Sequence, residues 1–261
     1  MKLTFLGTGT SCGVPTIGCL CPVCQSTNPK DKRLRCSALV ETAQTRLLID
    51  SGPDFRQQML AQPFRRIDGI LITHAHYDHM GGMDDIRPFC QFGPINVYAD
   101  SIARQGLLEM LPYCFTENRY PGVPAIGLHE IHKHLPFTIG DIDVMPFEVM
   151  HGRLPITGYR FTLHDRPSSL HNLTYITDMK TIDDDELPFL QATGILVVNA
   201  LRQKPHHSHQ TLDDAVAFAR RVGARHTYLI HSSHDIGLHD EVNRLLPTDI
   251  ELAYDGQTID I

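Results

Sequence analysis

Four side chains that can ligate a metal lie within six residues, in the segment His74-Ala75-His76-Tyr77-Asp78-His79. The segment follows the apolar run IDGILIT at 67–73, which is typical of a buried strand. An extended chain turns His74 and His76 to one side, and a following turn presents Asp78 and His79. Imidazole and carboxylate ligands suit Zn, Mn or Fe(II), and the cluster contains no cysteine, which argues against a purely structural zinc site. The spacing therefore predicts a metal site at the end of a strand.

A second group of ligand-type residues consists of the thiols Cys19, Cys21 and Cys24. Three thiolates within six residues have the spacing of a structural zinc site that lacks one ligand. His234 is the candidate for the fourth ligand, and a zinc joining it to the cysteines would tie the N-terminal loop to the segment around residue 231. The total of seven cysteines is odd, which favours a reducing compartment over a disulfide framework.

Short apolar runs that could position these residues alternate with amphipathic segments. Strands are predicted at LTFLG near the start and at 45–50, 67–73, 95–100, 142–150, 158–164, 173–178, 194–201, 226–233 and 249–254. Helices are predicted at about 54–61, 83–90, 101–111 and 211–222. Residues 114–137 are predicted to form a long loop near the pocket, because loops often carry specificity. The pattern fits two sheets packed face to face with helices outside, in a single domain over residues 1–261.

Composition excludes several classes of protein. Apolar residues make up 42% and charged residues 20% of the 261, as in globular proteins. The net charge of −7 argues against nucleic acid as a partner, so an anionic substrate must be held by local charge. No apolar run is long enough to span a membrane, and the N-terminus does not read as a signal peptide, which predicts a cytoplasmic protein. Small hydrolases commonly form two-fold dimers, so a homodimer is compatible with the sequence.

The segment 74–79 resembles the H-x-H-x-D-H signature of metallo-β-lactamase-fold hydrolases. This resemblance implies an α/β protein built as a four-layer αββα sandwich of two mixed β-sheets with helices on the outer faces. The family's later motifs match His151 in EVMHG, Asp178 in LTYITD and His231 in TYLIHSS. By resemblance, one divalent metal ion (Mn or Zn) is bound by His74, His76 and His151, a second by Asp78, His79 and His231, and Asp178 bridges them. Two such ions supply a metal-bridged hydroxide for hydrolysis and neutralise charge that develops on a phosphoryl or acyl oxygen.

The N-terminal stretch LGTGTSCGVPTIGCLCPVC resembles one branch of this superfamily, the phosphoribosyl cyclic phosphate phosphodiesterases. The branch implies that Cys19, Cys21, Cys24 and His234 bind one structural Zn. It also implies that the general acid is His209 in PHHSHQTLDDA, with His207 as the main rival. An imidazole that titrates near neutrality can donate the proton that a departing alkoxide needs. The expected function is thus a phosphodiesterase acting on a small sugar or nucleoside phosphate, which could be cyclic.

Three other functions share parts of this pattern. A tRNA 3′-processing endonuclease has the LGTG start and the ligand set, but the net charge and the lack of a basic clamping arm argue against it. A thioesterase or lactonase could use the same hydroxide. A cofactor-pathway protein of the pyrroloquinoline quinone biosynthesis type also has a cysteine-rich N-terminal loop. Arg35, Arg87 and Arg160 could bind an outlying phosphate, although a surface salt bridge is the plainer expectation for each.

Overall fold

The computed structural model describes residues 1–164 and 171–261. The strands in these residues are β1 (Lys2–Gly7), β2 (Ser37–Glu41), β3 (Arg46–Ile49), β4 (Gly69–Leu71), β5 (Ile95–Ala99), β6 (Ile126–Glu130), β7 (Phe137–Ile139), β8 (Ile142–His151), β9 (Leu154–Leu163), β10 (Asn172–Tyr175), β11 (Ile195–Asn199), β12 (His226–Ile230), β13 (Ile250–Leu252) and β14 (Thr258–Asp260). The α-helices are α1 (Pro22–Gln25), α2 (Phe55–Leu60), α3 (Tyr77–Met80), α4 (Ser101–Met110), α5 (Leu212–Val222) and α6 (His239–Leu245). Short 3-10 helices cover Pro29–Asp31, Met83–Phe92, Pro112–Cys114, Asp184–Leu190 and His234–Ile236.

The strands form two mixed sheets of seven strands each. The first sheet has the order β14-β1-β2-β3-β4-β5-β6, and the second has the order β13-β12-β11-β10-β9-β8-β7. In the first sheet β3, β4, β5 and β6 run parallel, and in the second β10, β11, β12 and β13 do. Because the carboxyl ends of parallel strands lie at one edge of a sheet, each sheet presents a row of strand ends that can carry functional residues.

Three apolar layers hold the sheets and helices together. Leu3, Val40 and Phe161 belong to the layer between the two sheets. A second layer packs α2 and α4 on the first sheet, and a third packs α5 and α6 on the second. These layers confirm the predicted αββα sandwich. The hydroxyl of Tyr159 in β9 also donates to the carbonyl of Ile72 at 2.6 Å, so a strand of the second sheet contacts the backbone two residues before His74.

Several predicted elements need correction. Residues 114–137 are not one long loop, because β6 lies within them and pairs with β5 in parallel. The predicted helix at 83–90 is a 3-10 helix, Met83–Phe92, with Pro88 inside it. Proline cannot donate the backbone hydrogen bond of an α-helix interior. The expected C-terminal tail contains β14, which pairs antiparallel with β1. Strands β2 and β7 are not among the predicted strands.

Helices α2, α4 and α5 begin and end within a residue of their predicted bounds. Helix α5 begins with a capping box, since the Thr211 side chain accepts from the Asp214 backbone N–H and the Asp214 carboxylate accepts from the Thr211 N–H. Among the residues that the structure describes, no helix combines the length and the apolar character needed to cross a membrane.

Candidate metal centre

The structure brings the seven predicted active-site ligands into two adjoining groups at the strand ends. We call His74, His76, His151 and Asp178 the first donor set, and Asp78, His79, Asp178 and His231 the second donor set. Within each set the candidate ligand atoms lie within 4.8 Å of one another. Asp178 belongs to both sets, as expected of a bridging carboxylate. The residues come from the ends of β4, β8, β10 and β12, so four strands converge on the site.

Burial distinguishes this cluster from a surface loop rich in histidine. His79 is 0%, His231 1% and Asp178 2% exposed, whereas His76 is exposed at the rim. Neither ring nitrogen of His231 makes a hydrogen bond within the described parts of the chain, and neither does Nε2 of His79. Unpaired buried nitrogen atoms are unfavourable unless something else binds them. Divalent ions would use these lone pairs, so the residues fit the metal ions that the donor pattern implies.

Hydrogen bonds fix which nitrogen of each ring is available. Nδ1 of His151 donates to the carbonyl of Ser208 at 2.9 Å, which leaves Nε2 as the ligand atom. The Thr73 hydroxyl donates to Asp50 at 2.8 Å and accepts from Nδ1 of His74 at 3.0 Å. Nε2 of His74 then faces Nδ1 of His76 at 3.0 Å. Nε2 of His74 and Nδ1 of His76 therefore point at a common position, where both can act as ligand atoms.

Asp50 is a positioning residue that the sequence analysis missed. Its Oδ2 accepts from Nδ1 of His79 at 2.7 Å, and its Oδ1 accepts from the Thr73 backbone N–H at 2.8 Å. The carboxylate is fully buried behind the second donor set. A sign of it was present in the sequence, since TRLLID ends in aspartate just as LTYITD does. Asn199 was missed as well, and its side-chain amide pairs with both backbone groups of Met179, directly after Asp178.

The backbone at these strand ends is constrained. Asp50, Asp178 and His231 have φ values of 58°, 56° and 55°, a left-handed conformation that is uncommon for residues other than glycine. A Cβ atom at Gly52 would lie 2.0 Å from the carbonyl oxygen of Asp78, so only glycine permits this approach of the two loops. Uncommon backbone conformations persist where the surrounding structure enforces them, and they concentrate at functional sites.

The electrostatics of the cluster favour cations. Burial alone would raise the pKa of Asp178, but the charges of His231 and His79 outweigh it and hold that pKa well below its usual value. Burial would likewise lower the pKa of His79, but the carboxylates of Asp178, Asp50 and Asp78 raise it well above the usual value. Three buried carboxylates around one imidazole thus create a strongly negative field, which divalent ions would neutralise.

His209 lies against both donor sets, whereas His207 does not. The ring of His209 is 4.5 Å from that of His151 and stacks on that of His231 at 4.9 Å, measured between centroids. Its Nδ1 is 3.9 Å from Oδ2 of Asp178 and makes no hydrogen bond among the described residues. The ring of His207 contacts that of His206 instead. Burial lowers the pKa of His209 to about 3, although Asp178 acts in the opposite direction.

The three cysteines and His234 also come together. Nδ1 of His234 lies 3.3 Å from Sγ of Cys19 and 3.2 Å from Sγ of Cys21, and Cys24 completes a group within 4.8 Å. A hydrogen bond from the Cys24 backbone and the contact with His234 lower the pKa of Cys21 to about 6, which favours its thiolate. Next to His231, Ser232 donates its N–H to the carbonyl of Thr8 at 3.0 Å. The cysteine cluster therefore lies on the same pair of loops as a donor of the second set.

Comparisons with known proteins agree on the fold. The model of the beta-lactamase superfamily domain matches residues 45–232. An octanoyltransferase of Porphyromonas gingivalis is 42% identical over 258 residues, which are 98% of this chain and 51% of that protein, so the chain spans about half the length of that relative. The crystal structure of a new diphosphatase from the PhnP family matches with a TM-score of 0.89 and 40% identity, covering 100% of this chain and 96% of that one. Zn(2+)-bound PqqB from Methylobacterium extorquens shares the fold at 16% identity, with a TM-score of 0.82 and full coverage of both chains.

Replacing Asp50 should weaken metal binding without unfolding the protein. In Asp50→Asn, an amide nitrogen or a weaker acceptor would face Nδ1 of His79 and the Thr73 hydroxyl. Partners of this kind typically contribute about 10- to 100-fold to metal affinity. We expect a loss of that size for one ion, measured by chelator competition with manganese. Asp68→Asn is the control, because Asp68 lies before the opposite end of β4; equal losses in both variants would contradict the role of Asp50.

Replacing Cys21 should remove one zinc per chain. Elemental analysis of Cys21→Ser should find one zinc fewer than in the wild type, because three remaining ligands bind the ion more weakly. Cys12→Ser is the matched control, since Cys12 is an exposed thiol of the same N-terminal segment outside the cluster. An unchanged metal content in Cys21→Ser would show that the cysteines do not form a zinc site.

Proposed function

Because this chain belongs to the metallo-β-lactamase-fold hydrolases of the beta-lactamase superfamily, we propose that it is a phosphodiesterase with a dinuclear metal site that acts on a small sugar or nucleoside phosphate. The observation that carries the proposal is the joining of two donor sets through Asp178, with His209 against both. Manganese or zinc at these sets would supply a nucleophilic water of lowered pKa and neutralise charge on the phosphoryl oxygens. A structural zinc at Cys19, Cys21, Cys24 and His234 belongs to the same proposal.

His209 is the general acid in this proposal. Departure of an alkoxide from a phosphodiester requires a proton, and His209 lies beside the residues that would surround the reacting phosphoryl group. A phosphodiester anion bound next to the ring raises the low pKa of His209, because nearby negative charge favours the imidazolium form. Ser208 supports the arrangement, since its carbonyl orients His151 while the following residue is His209.

The second donor set contains two buried carboxylates, Asp78 and Asp178, whereas the first contains only Asp178. Asp78 keeps a pKa below its usual value despite burial, because His79 and His231 lie close to it. Its Oδ2 is 3.3 Å from Nε2 of His79 and 3.6 Å from Nε2 of His231. Asp78 thus remains ionised and available as a ligand near neutral pH. Removing it should abolish the activity of the site.

A diphosphate is a second candidate substrate, favoured by the 40% identity to a diphosphatase of the PhnP family. The two candidates place different demands on His209. A departing phosphate is a far better leaving group than an alkoxide, so cleavage of a diphosphate depends less on proton donation. Dependence on the leaving group therefore discriminates between them.

The direct test is incubation of the manganese-loaded protein with phosphoribosyl 1,2-cyclic phosphate, followed by chelation of the metal and phosphorus NMR. We expect the ring to open to a monoester, and we expect Asp78→Ala to abolish the reaction. If the metal-loaded wild type leaves this diester and linear diesters intact but cleaves a nucleoside diphosphate, the phosphodiesterase proposal is wrong and the diphosphatase alternative stands.

His209→Ala should impair the enzyme selectively. With an alkyl leaving group we expect kcat/KM to fall by roughly 10²- to 10⁴-fold, the usual contribution of a general acid. With p-nitrophenolate, which needs little protonation, the fall should be at least tenfold smaller. His207→Ala is the control and should retain activity on both esters. Equal losses on both leaving groups would argue against proton donation by His209.

A further inference from the structure

The ring of His231 is not oriented by a hydrogen bond, unlike the rings of two other metal-ligand candidates. Asp50 orients the ring of His79 by accepting from its Nδ1. The carbonyl of Ser208 does the same for His151. Neither ring nitrogen of His231 has a hydrogen-bond partner among the described residues. The position of this ligand therefore depends on how its backbone is held.

The backbone next to His231 is held by residues 8–10, which follow β1. The N–H of Ser232 donates to the carbonyl of Thr8 at 3.0 Å, and the carbonyl of Ser232 accepts from the N–H of Thr10 at 3.3 Å. His231 itself has a φ of 55°. Such a conformation persists where neighbouring structure enforces it. Residues 8–10 are the neighbours that pair directly with the residue after it.

Residues 8–10 are fixed in turn by Asp255, in the connection between β13 and β14. Its Oδ1 accepts from the backbone N–H of Thr8 at 2.9 Å and from the Thr8 hydroxyl at 2.8 Å. Its Oδ2 accepts from the backbone N–H of Leu34 at 2.6 Å. The N–H of Gly9 donates to the carbonyl of Leu34 at 2.7 Å, so the two segments also pair directly. One carboxylate thus sets the position of Thr8 relative to Leu34.

A buried cation completes this contact. Arg33 is 3% exposed, and its Nη1 donates to the Thr8 hydroxyl at 2.8 Å and to the carbonyl of Ala253 at 2.7 Å. The Thr8 hydroxyl accepts from Arg33 and donates to Asp255, so it is fully used. Burial raises the pKa of Asp255 to about 6, although hydrogen bonds and the charge of Arg33 act in the opposite direction. A carboxylate in such surroundings is unfavourable unless its hydrogen bonds and a nearby cation compensate the lost hydration.

We propose that Asp255 is a positioning residue for the second metal ion, because it fixes Thr8 and thereby holds the backbone that presents His231. The inference rests on the proposed dinuclear site and adds to it a residue that the mechanism does not use. In the described part of the chain, the hydrogen bonds of Asp255 go to Thr8 and Leu34 and not to a donor set. Replacing Asp255 should therefore affect the ion of the second donor set and spare that of the first.

Manganese binding to Asp255→Asn, measured by chelator competition and electron paramagnetic resonance, tests this. The amide nitrogen of asparagine would face the N–H of Thr8 or of Leu34, neither of which can accept a hydrogen bond. We expect the affinity for one ion to fall about tenfold, at the lower end of the usual effect of residues behind a ligand. The affinity for the other ion should stay as in the wild type. At intermediate manganese the spectrum should change from that of a coupled pair to that of an isolated ion.

Asp141→Asn is the matched control and should keep both affinities. Oδ1 of Asp141 also accepts from threonine hydroxyls, those of Thr42 at 2.7 Å and Thr45 at 2.5 Å. Asp141 directly precedes β8, whose opposite end carries His151. A second pair of variants changes Thr8. Thr8→Val removes the hydroxyl between Arg33 and Asp255 and should weaken the same ion, whereas Thr8→Ser keeps the hydroxyl and should match the wild type.

Unchanged affinities in Asp255→Asn overturn the inference. An equal loss for both ions overturns it as well, because it would indicate a general loss of stability. If Asp255→Asn does not fold, the comparison of Thr8→Val with Thr8→Ser decides by the same criterion. Since binding is measured without substrate, a wild type that holds two ions but cleaves no phosphodiester would count against the proposed function and not against Asp255.

Discussion

The carboxylate of Asp178 joins the two halves of the metal centre. Its Oδ1 is 3.4 Å from Nε2 of His79 and 3.2 Å from Nε2 of His231, and its Oδ2 is 3.9 Å from Nε2 of His74. A buried carboxylate in this position is unfavourable unless cations and hydrogen bonds compensate its desolvation. The Thr177 hydroxyl donates to it at 2.6 Å, and Asn199 clamps the backbone that follows. Residues at three strand ends of the second sheet, His231, Thr177 and Asn199, therefore surround or position the carboxylate of Asp178.

The first sheet also has a buried aspartate at a strand end, Asp50. The two aspartates have similar backbone conformations at the ends of β3 and β10, but their roles differ. Asp178 faces the ligand atoms, whereas Asp50 lies behind His79 and orients the ring. Each sheet thus contributes a strand-end carboxylate: Asp178 would contact the metal ions, and Asp50 orients the ring of His79. Close packing of the backbone at Gly52 and Asp78 fixes the distance between these strand ends.

The sequence predicts the metal ligands best where several ligand-type residues directly follow an apolar strand pattern. The segment 74–79 combines a buried strand with four ligand types, and the family resemblance placed His151, Asp178 and His231, which the fold then brings together. Asp50 and Asn199 were missed because their roles depend on contacts between strands far apart in sequence. Strand β6 lacks a clear apolar pattern because it lies at a sheet edge and its last two residues are exposed, so the sequence predicts a loop there. Strand β2 ends in Glu41, whose buried charge pairs with Arg46 and so obscures the apolar pattern.

The pairing of β1 with β14 places the first and last residues side by side. The ammonium group of Met1 donates to the carbonyl of Ile261 at 3.3 Å, and β1 runs from this point towards Thr8, near the second donor set. Both ends therefore lie at the edge of the sheet opposite the metal centre. A short linker could join them, with new ends opened at the exposed turn of Ala43 and Gln44. The architecture is thus suited to circular permutation.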